Sequence, residues 1–125
     1  MSKFLGREDI LNADDRDVEI VEVPEWGGKV RVATITAEKR DKFESSMFKI
    51  RNFGTKNQKA EYSQENLRAR LVAYTVVDED GNRIFSENDI KKLGEKSAKA
   101  LDRVFEVAQE LNGISDEDVE EMTKN

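Results

Sequence analysis

The chain has 125 residues, a net charge of −6, and neither cysteine nor histidine. That length fits one domain, and the two missing residue types exclude disulfide bridges, zinc sites built from cysteine and histidine, and nucleophiles activated by histidine. No stretch approaches the roughly 20 apolar residues of a membrane-spanning helix, and the acidic N-terminus lacks the apolar centre of a secretory signal. We therefore expect a cytoplasmic protein.

The first elements in chain order are a polar segment and a β-hairpin. Residues 1–17 show no sustained period and predict a flexible N-terminal segment, although its apolar side chains can dock on another surface. Those side chains are Phe4, Leu5, Ile10 and Leu11. β-branched residues in 18–23 and 29–35, separated by Pro24 and the Gly27-Gly28 turn, predict a hairpin. The pairing is expected to set two glutamates against two basic residues: Glu19 and Glu22 against Lys29 and Arg31.

The middle of the chain predicts two helices. Thr36 is a good N-cap, and Phe43, Met47 and Ile50 at helical spacing predict a helix that runs to about Arg51. A polar loop over 52–59 follows. Ser63 is the expected N-cap of the second helix, whose apolar face contains Leu67, Leu71 and Tyr74. After a turn at 78–82, residues 83–85 are expected to pair with 76–77.

Two capping boxes predict the last helices. The first covers Ser86 to Asp89 and opens a long amphipathic helix that stops at Asn112-Gly113, with Gly94 as its weak point. The second covers Ser115 to Asp118 and opens a short acidic helix. The expected fold is therefore α+β, with an N-terminal β-hairpin followed by a mainly helical small domain of three to four helices. Residues 18–125 would form this single domain.

No motif in the chain supports catalysis or a cofactor. Asp78, Asp80 and Asn82 resemble the start of an EF-hand loop, but Gly81 stands at position 4 and Arg83 takes the glycine position, so a plain turn is favoured. Gly27-Gly28 lacks the spacing of a phosphate-binding loop. Carboxylates are abundant, but nothing in the pattern places two of them in an apolar pocket. We expect a protein that is not an enzyme and needs neither cofactor nor metal.

Charge is distributed in bands along the chain. Residues 1–28 carry 3 basic and 8 acidic side chains, 29–59 carry 9 and 3, 60–103 carry 8 and 9, and 104–123 carry 0 and 7. Any one band can be an ordinary solvated surface. Alternatively, the basic middle of one copy can meet the acidic end of another, which predicts self-association. Nucleic acid is not an expected partner, because the net charge is negative and acidic residues interrupt the basic band.

Three stretches together resemble the tail assembly chaperones of long-tailed phages, the siphovirus type. The first is a strand, a PEWGG turn and a strand over residues 21–32; the second is residues 67–73 leading into 76–85; the third is residues 93–113. Their order and spacing extend over about residues 10–125. Each stretch is weakly specific alone, and the combination carries the resemblance.

The resemblance implies a protein made in the host cytoplasm during assembly and absent from the mature virion. Such chaperones bind the tape measure protein, a long, helical, aggregation-prone chain, keep it soluble and help tail tube subunits polymerise around it. Many also exist as a frameshift-extended form that recruits the tail tube protein. The alternative is a structural or adaptor subunit retained in the virion.

Five residues are the candidate partner contacts. Trp26 lies in the hairpin turn, where an aromatic residue either covers the hairpin end or meets a partner. Three basic residues and one methionine belong to the helix predicted after the hairpin: Lys39, Arg40, Lys42 and Met47. That helix and the one over 87–112 are expected to supply the core and a groove for the client, while the hairpin or the termini link neighbouring copies.

Overall fold

A computed structural model describes residues 3–46, 48–51, 56, 59–62 and 66–123 of the chain. The β-branched run forms strand β1 (Val18–Val23), which pairs antiparallel with β2 (Gly28–Ala33). A single 3₁₀ turn, Pro24–Trp26, connects the strands and ends at Gly27, whose φ of 76° is a left-handed conformation that suits glycine. Strand β5 (Val76–Val77) pairs antiparallel with β2, so the sheet order is β1-β2-β5. The predicted hairpin is confirmed.

Of the two cross-strand charge pairs expected in the hairpin, the register contains one. Glu22 lies opposite Lys29 in the ladder, as expected. Glu19 lies opposite Val32 instead of a basic residue, and Arg31 lies opposite Ile20. Because side chains alternate between the two faces of a strand, Glu19 and Glu22 belong to opposite faces and cannot both face the same basic pair.

Helix α1 (Arg7–Leu11) precedes the sheet, and none of its side chains is buried. This short helix was not expected in the N-terminal segment. Helix α2 spans Ala37–Ser46, so the prediction that it reaches Arg51 is wrong. Residues Phe48–Arg51 form strand β3, which pairs antiparallel with β4 (Lys59–Tyr62) in a second sheet. The helical spacing of Phe43 and Ile50 was misleading, because Phe48 to Arg51 also alternates apolar and basic residues with the period of a strand.

Helix α3 (Leu67–Thr75) follows Asn66, which adopts a left-handed φ of 57°. The N-cap predicted at Ser63 lies outside the described residues. The predicted pairing of residues 83–85 with β5 is confirmed, because Arg83 bridges Val77. Three further segments complete the described part of the chain: α4 (Ile90–Gly94), α5 (Ala98–Leu111) and α6 (Asp116–Thr123).

The long helix predicted over 87–112 is divided into two. Its first turn, Glu87–Asp89, is a 3₁₀ helix that opens with the expected Ser86–Asp89 capping box. Helix α4 ends at Gly94, the weak point of the pattern, and α5 restarts after Ser97, whose hydroxyl accepts a hydrogen bond from the Ala100 N–H at 3.3 Å. With this division and α1, the described residues contain six α-helices instead of three to four. The α+β class is confirmed.

The core lies between the inner face of the β1-β2-β5 sheet and helices α3 and α5. Val21, Val23 and Val32 point inward from the hairpin and pack with the buried side of α5, which includes Val104. Helix α2 contributes Phe43, whose ring meets that of Tyr74 edge to face at 5.8 Å between centroids. In the described part of the chain, no helix is long and apolar enough to cross a membrane.

Candidate interaction site

A groove runs along one side of α5. Its first part has a volume of about 490 Å³ and lies between the start of α3, the end of α4, α5 and α6. Its second part, of about 550 Å³, continues along α5 to the loop before α6. Both parts are lined by Arg68 and Phe105, so they form one continuous surface, which we name the α5 groove.

Apolar side chains form the floor of the groove at its first part. Leu101 is buried, and Leu67, Phe105 and Val119 are half-buried and pack against the core. They come from three helices and form a partly open apolar surface that continues from the core. Its dimensions and composition suit the apolar face of an amphipathic helix.

Charge changes sign along the α5 groove. Lys96 and Arg68 line the first part. The second part is lined mainly by acidic groups: Asp102, Glu106, Glu110 and Asp116. Arg68 stands at the boundary, where its Nε lies 2.8 Å from Asp102 Oδ1. A partner with an opposite charge gradient is therefore favoured in one direction over the other.

Gly94 lies at the first end of the groove, beside the side chain of Asn66. A β-carbon at Gly94 would overlap the Oδ1 atom of Asn66, so that side chain would have to move. The end of α4 and the start of α3 contact each other here. The sequence pattern marked Gly94 only as a weak point in a helix.

The four predicted contact residues that the structure describes are not part of this groove. Trp26 is half-buried and packs against the core, and beside it Arg103 donates to Glu25 at 2.8 Å, which lowers the pKa of that carboxyl group. Lys42 is exposed and pairs with Glu38 at 3.5 Å, and Lys39 is partly exposed. None of these residues lines the groove. Met47 lies outside the described residues.

Arg40, the remaining candidate, has an internal structural role. Its Nη1 donates to the backbone oxygen of Asn112 at 2.9 Å, and its Nε approaches Glu44 Oε1 at 3.3 Å. These contacts join α2 to the end of α5. A variant at Arg40 therefore tests stability and partner binding together, whereas Lys39 and Lys42 test the surface alone.

Asn112 is a connecting residue that the sequence pattern marked only as a helix stop. Its Oδ1 accepts from the backbone N–H of Ile35 at 2.8 Å, and its Nδ2 donates to the backbone oxygens of Ala108 at 2.9 Å and Ala33 at 3.4 Å. One side chain thus joins the end of β2 to the end of α5. No local spacing signals the contacts with Ile35 and Ala33, because these two partners lie 77 and 79 residues away.

A polar cluster surrounds Tyr74 and brings the exposed carboxylate of Glu87 together with two arginines. Glu87 accepts from the Tyr74 hydroxyl at 3.1 Å and from Arg70 at 2.7 Å, and the guanidinium carbon of Arg83 lies 4.0 Å from the centre of the Tyr74 ring. Burial, followed by the charge of Glu87, raises the pKa of Tyr74. Two cations and one carboxylate around a tyrosine form a structural network, and the arrangement contains no pair of carboxylates for acid-base catalysis.

The turn considered for calcium has a structural function. The Asp78 carboxylate accepts from the backbone N–H groups of Asp80 at 2.9 Å and Asn82 at 3.0 Å, so its own turn uses it. Among the residues that the structure describes, no group of three or more acidic side chains is positioned to hold a metal ion.

Comparison with known families agrees with this architecture. The family model described as phage tail assembly chaperone matches residues 11–125. The chain belongs to the phage tail assembly chaperone family. No curated protein matches the chain significantly.

A solved structure of the same kind supports the fold. The structure of the bacteriophage HK97 tail assembly chaperone matches with a TM-score of 0.55 and 17% sequence identity, covering 87% of this chain and 95% of that one. At this identity the match concerns the fold alone. The resemblance based on the PEWGG hairpin and the two later stretches is therefore confirmed at the level of the family.

Proposed function

We propose that this chaperone binds the tape measure protein, keeps that long helical chain soluble, and promotes polymerisation of the tail tube around it. The observation that carries the proposal is the α5 groove, with its apolar floor at Leu101, Phe105 and Val119. An amphipathic segment of the client would lay its apolar face on this floor. The charge gradient along the groove would set the direction of the bound segment.

The chaperone acts by binding and needs neither catalysis nor a cofactor. It works in the host cytoplasm during assembly and leaves before the virion is complete. Mass spectrometry of purified virions tests this part, because a retained structural or adaptor subunit would be found there and the chaperone would not. Recruitment of the tail tube protein, through a frameshift-extended form of the chain, completes the proposal.

Copies of the chaperone associate with one another on the client. The candidate contacts with the tail proteins are separate from this self-association: Trp26, the basic residues of α2, and Met47, which follows α2 in the sequence. Lys39→Glu with Lys42→Glu should weaken binding of the tail proteins without loss of stability, because both lysines are at least partly exposed. Trp26→Ala tests the hairpin turn, and Arg40→Glu is a poorer test because of its bond to Asn112.

Two phenylalanines provide the matched test of the groove. Phe105 and Phe85 are both half-buried and both pack against the core, but only Phe105 lines the groove. Phe105→Ala should reduce client affinity by about tenfold or more, as expected for an aromatic anchor at the centre of an interface. Phe85→Ala should lose about as much stability as Phe105→Ala but retain client binding. Equal co-purification of the tape measure protein with both variants would refute the groove as the client site.

A further inference from the structure

Exposed apolar residues are concentrated at the N-terminal end of the chain. Among the described residues, seven large hydrophobic side chains are exposed, and only Ile84 lies outside this region. Four belong to residues 3–17, which we name the N-terminal arm: Phe4, Leu5, Ile10 and Leu11. The other two, Val18 and Ile20, project from strand β1. Such a concentration of exposed apolar surface indicates an interaction site.

The two β1 residues belong to the outer face of the hairpin. Val18 and Ile20 are 56% and 57% exposed and alternate with the buried Val21 and Val23 of the inner face. Three charged side chains share the outer face with them: Glu22, Lys29 and Arg31. Strand β1 is also an edge of the sheet, with β2 as its neighbour on one side. The outer face therefore combines an apolar patch with two basic side chains and one acidic side chain, a net positive charge.

The N-terminal arm has the complementary composition. It contains three basic and five acidic side chains, and so carries net negative charge beside its apolar residues. None of the side chains of α1 is buried, and Ile10 and Leu11 are 59% and 64% exposed. An acidic, apolar segment and a basic, apolar face are suited to each other.

The base of the arm is fixed at the far end of the hairpin from its turn. Asp17 accepts from the Thr34 N–H at 2.9 Å, and its own N–H donates to Thr34 Oγ1 at 3.1 Å. Between this anchor and α1, residues 12–17 have no helical or strand structure. Six extended residues span roughly 20 Å, enough to reach an adjacent copy.

We propose that the N-terminal arm of one copy docks on the outer face of the hairpin of a second copy of this chain. This inference rests on the self-association included in the proposed function and names its surfaces. Ile10 and Leu11 cover Val18 and Ile20 of the neighbour, and the acidic arm residues meet Lys29 and Arg31. Each copy gives an arm and receives another. Reciprocal exchange closes a dimer, whereas docking on successive neighbours repeats along a row or closes into a ring.

The small size of this contact agrees with a chaperone that has to leave the client before the virion is complete. An arm with four large apolar residues buries less than the roughly 1,200 Å² typical of stable complexes, so each contact is weak and reversible. Copies held side by side on one client gain avidity from the neighbouring contacts.

Sedimentation equilibrium of the purified chain without client tests the proposal. The weight-average mass of the wild type should increase with concentration above the 14.3 kDa of one chain, and less so at high salt. An arm variant (Ile10→Asp with Leu11→Asp) and a face variant (Lys29→Glu with Arg31→Glu) should both remain monomeric. Ile84→Asp, which removes an exposed apolar side chain beyond the opposite edge of the sheet, should associate as the wild type does.

Mixing the two defective variants gives the decisive result. The arm variant retains an intact face and the face variant an intact arm, so an equal mixture should form a dimer and nothing larger. A mixture that stays monomeric, a wild type that is monomeric at every concentration, or variants that still associate would overturn the proposal. Circular dichroism confirms that both variants are folded. Because client is absent, any of these failures leaves the client-binding function untouched.

Discussion

Replacement of Asn112 by alanine should destabilise the chain far more than an ordinary surface substitution. The change removes the hydrogen bonds at 2.8 and 2.9 Å to Ile35 and Ala108 and the longer one to Ala33. Each lost bond costs about 0.5–1.5 kcal/mol, and the Ile35 N–H left without its partner adds a desolvation cost of about 1 kcal/mol or more. The expected loss is about 3 kcal/mol.

Urea denaturation followed by circular dichroism measures this loss directly. In a chain of this size, about 3 kcal/mol corresponds to a decrease in melting temperature of roughly 10–15 °C. The matched control is Asn88→Ala, since Asn88 is exposed and its side chain makes no hydrogen bond in the described structure. The control should change stability by about 0.5 kcal/mol or less. If Asn112→Ala loses less than about 1 kcal/mol, Asn112 does not connect β2 to α5 as argued.

Two further predictions concern the end of the chain. The backbone N–H of Ser115 donates to Asp118 at 2.8 Å and lowers the pKa of that carboxyl group below its usual 3.8. The ionised Asp118 carboxyl group therefore stabilises the fold above about pH 4, and this stabilisation is lost as the pH falls through the lowered pKa of the folded state. Asp118→Asn should make stability less dependent on pH in this range. An unchanged acid unfolding curve would contradict the cap. Gly113→Ala should cost about 1 kcal/mol in urea denaturation because Gly113 has a φ of 62°, whereas Gly28→Ala, at an open position with ordinary φ, should cost less; equal costs would refute the assignment.

Local patterns predicted the hairpin and the capping boxes well. Alternation around the Gly27-Gly28 turn specified β1 and β2, because turn and pattern agree there. The boxes at Ser86 and Ser115 were found because each is complete within four residues. The predictions that succeeded rest on patterns of neighbouring residues, so they needed no information about distant parts of the chain.

Where a segment fits both the helical and the strand period, the sequence did not decide between the two structures. Residues 48–51 fit both a continuation of α2 and a strand, and pairing with β4 selects the strand. The interruption after Gly94 was underestimated for a related reason. Gly94 supplies the close approach to Asn66, and Ser97 supplies a new N-cap, but only the packed structure shows that both act together.

The residues that line the α5 groove were not predicted from the sequence. A basic helix suggested a partner surface, yet Arg40 is used to hold Asn112. The α5 groove combines residues from α3, α5 and α6, which belong to separate segments of the sequence and come together only through packing. The amphipathic pattern of residues 87–112 does not separate core positions from groove positions, and the structure places Phe105 half-buried in both parts of the groove.

The central claim is that this chaperone binds the tape measure protein and keeps it soluble. The most direct measurement is to co-express the chain with the tape measure protein of the same phage and determine how much client is soluble and how many copies co-purify with it. The account predicts soluble client with several copies bound. Client that precipitates alone, while this chain remains a free species, would contradict it.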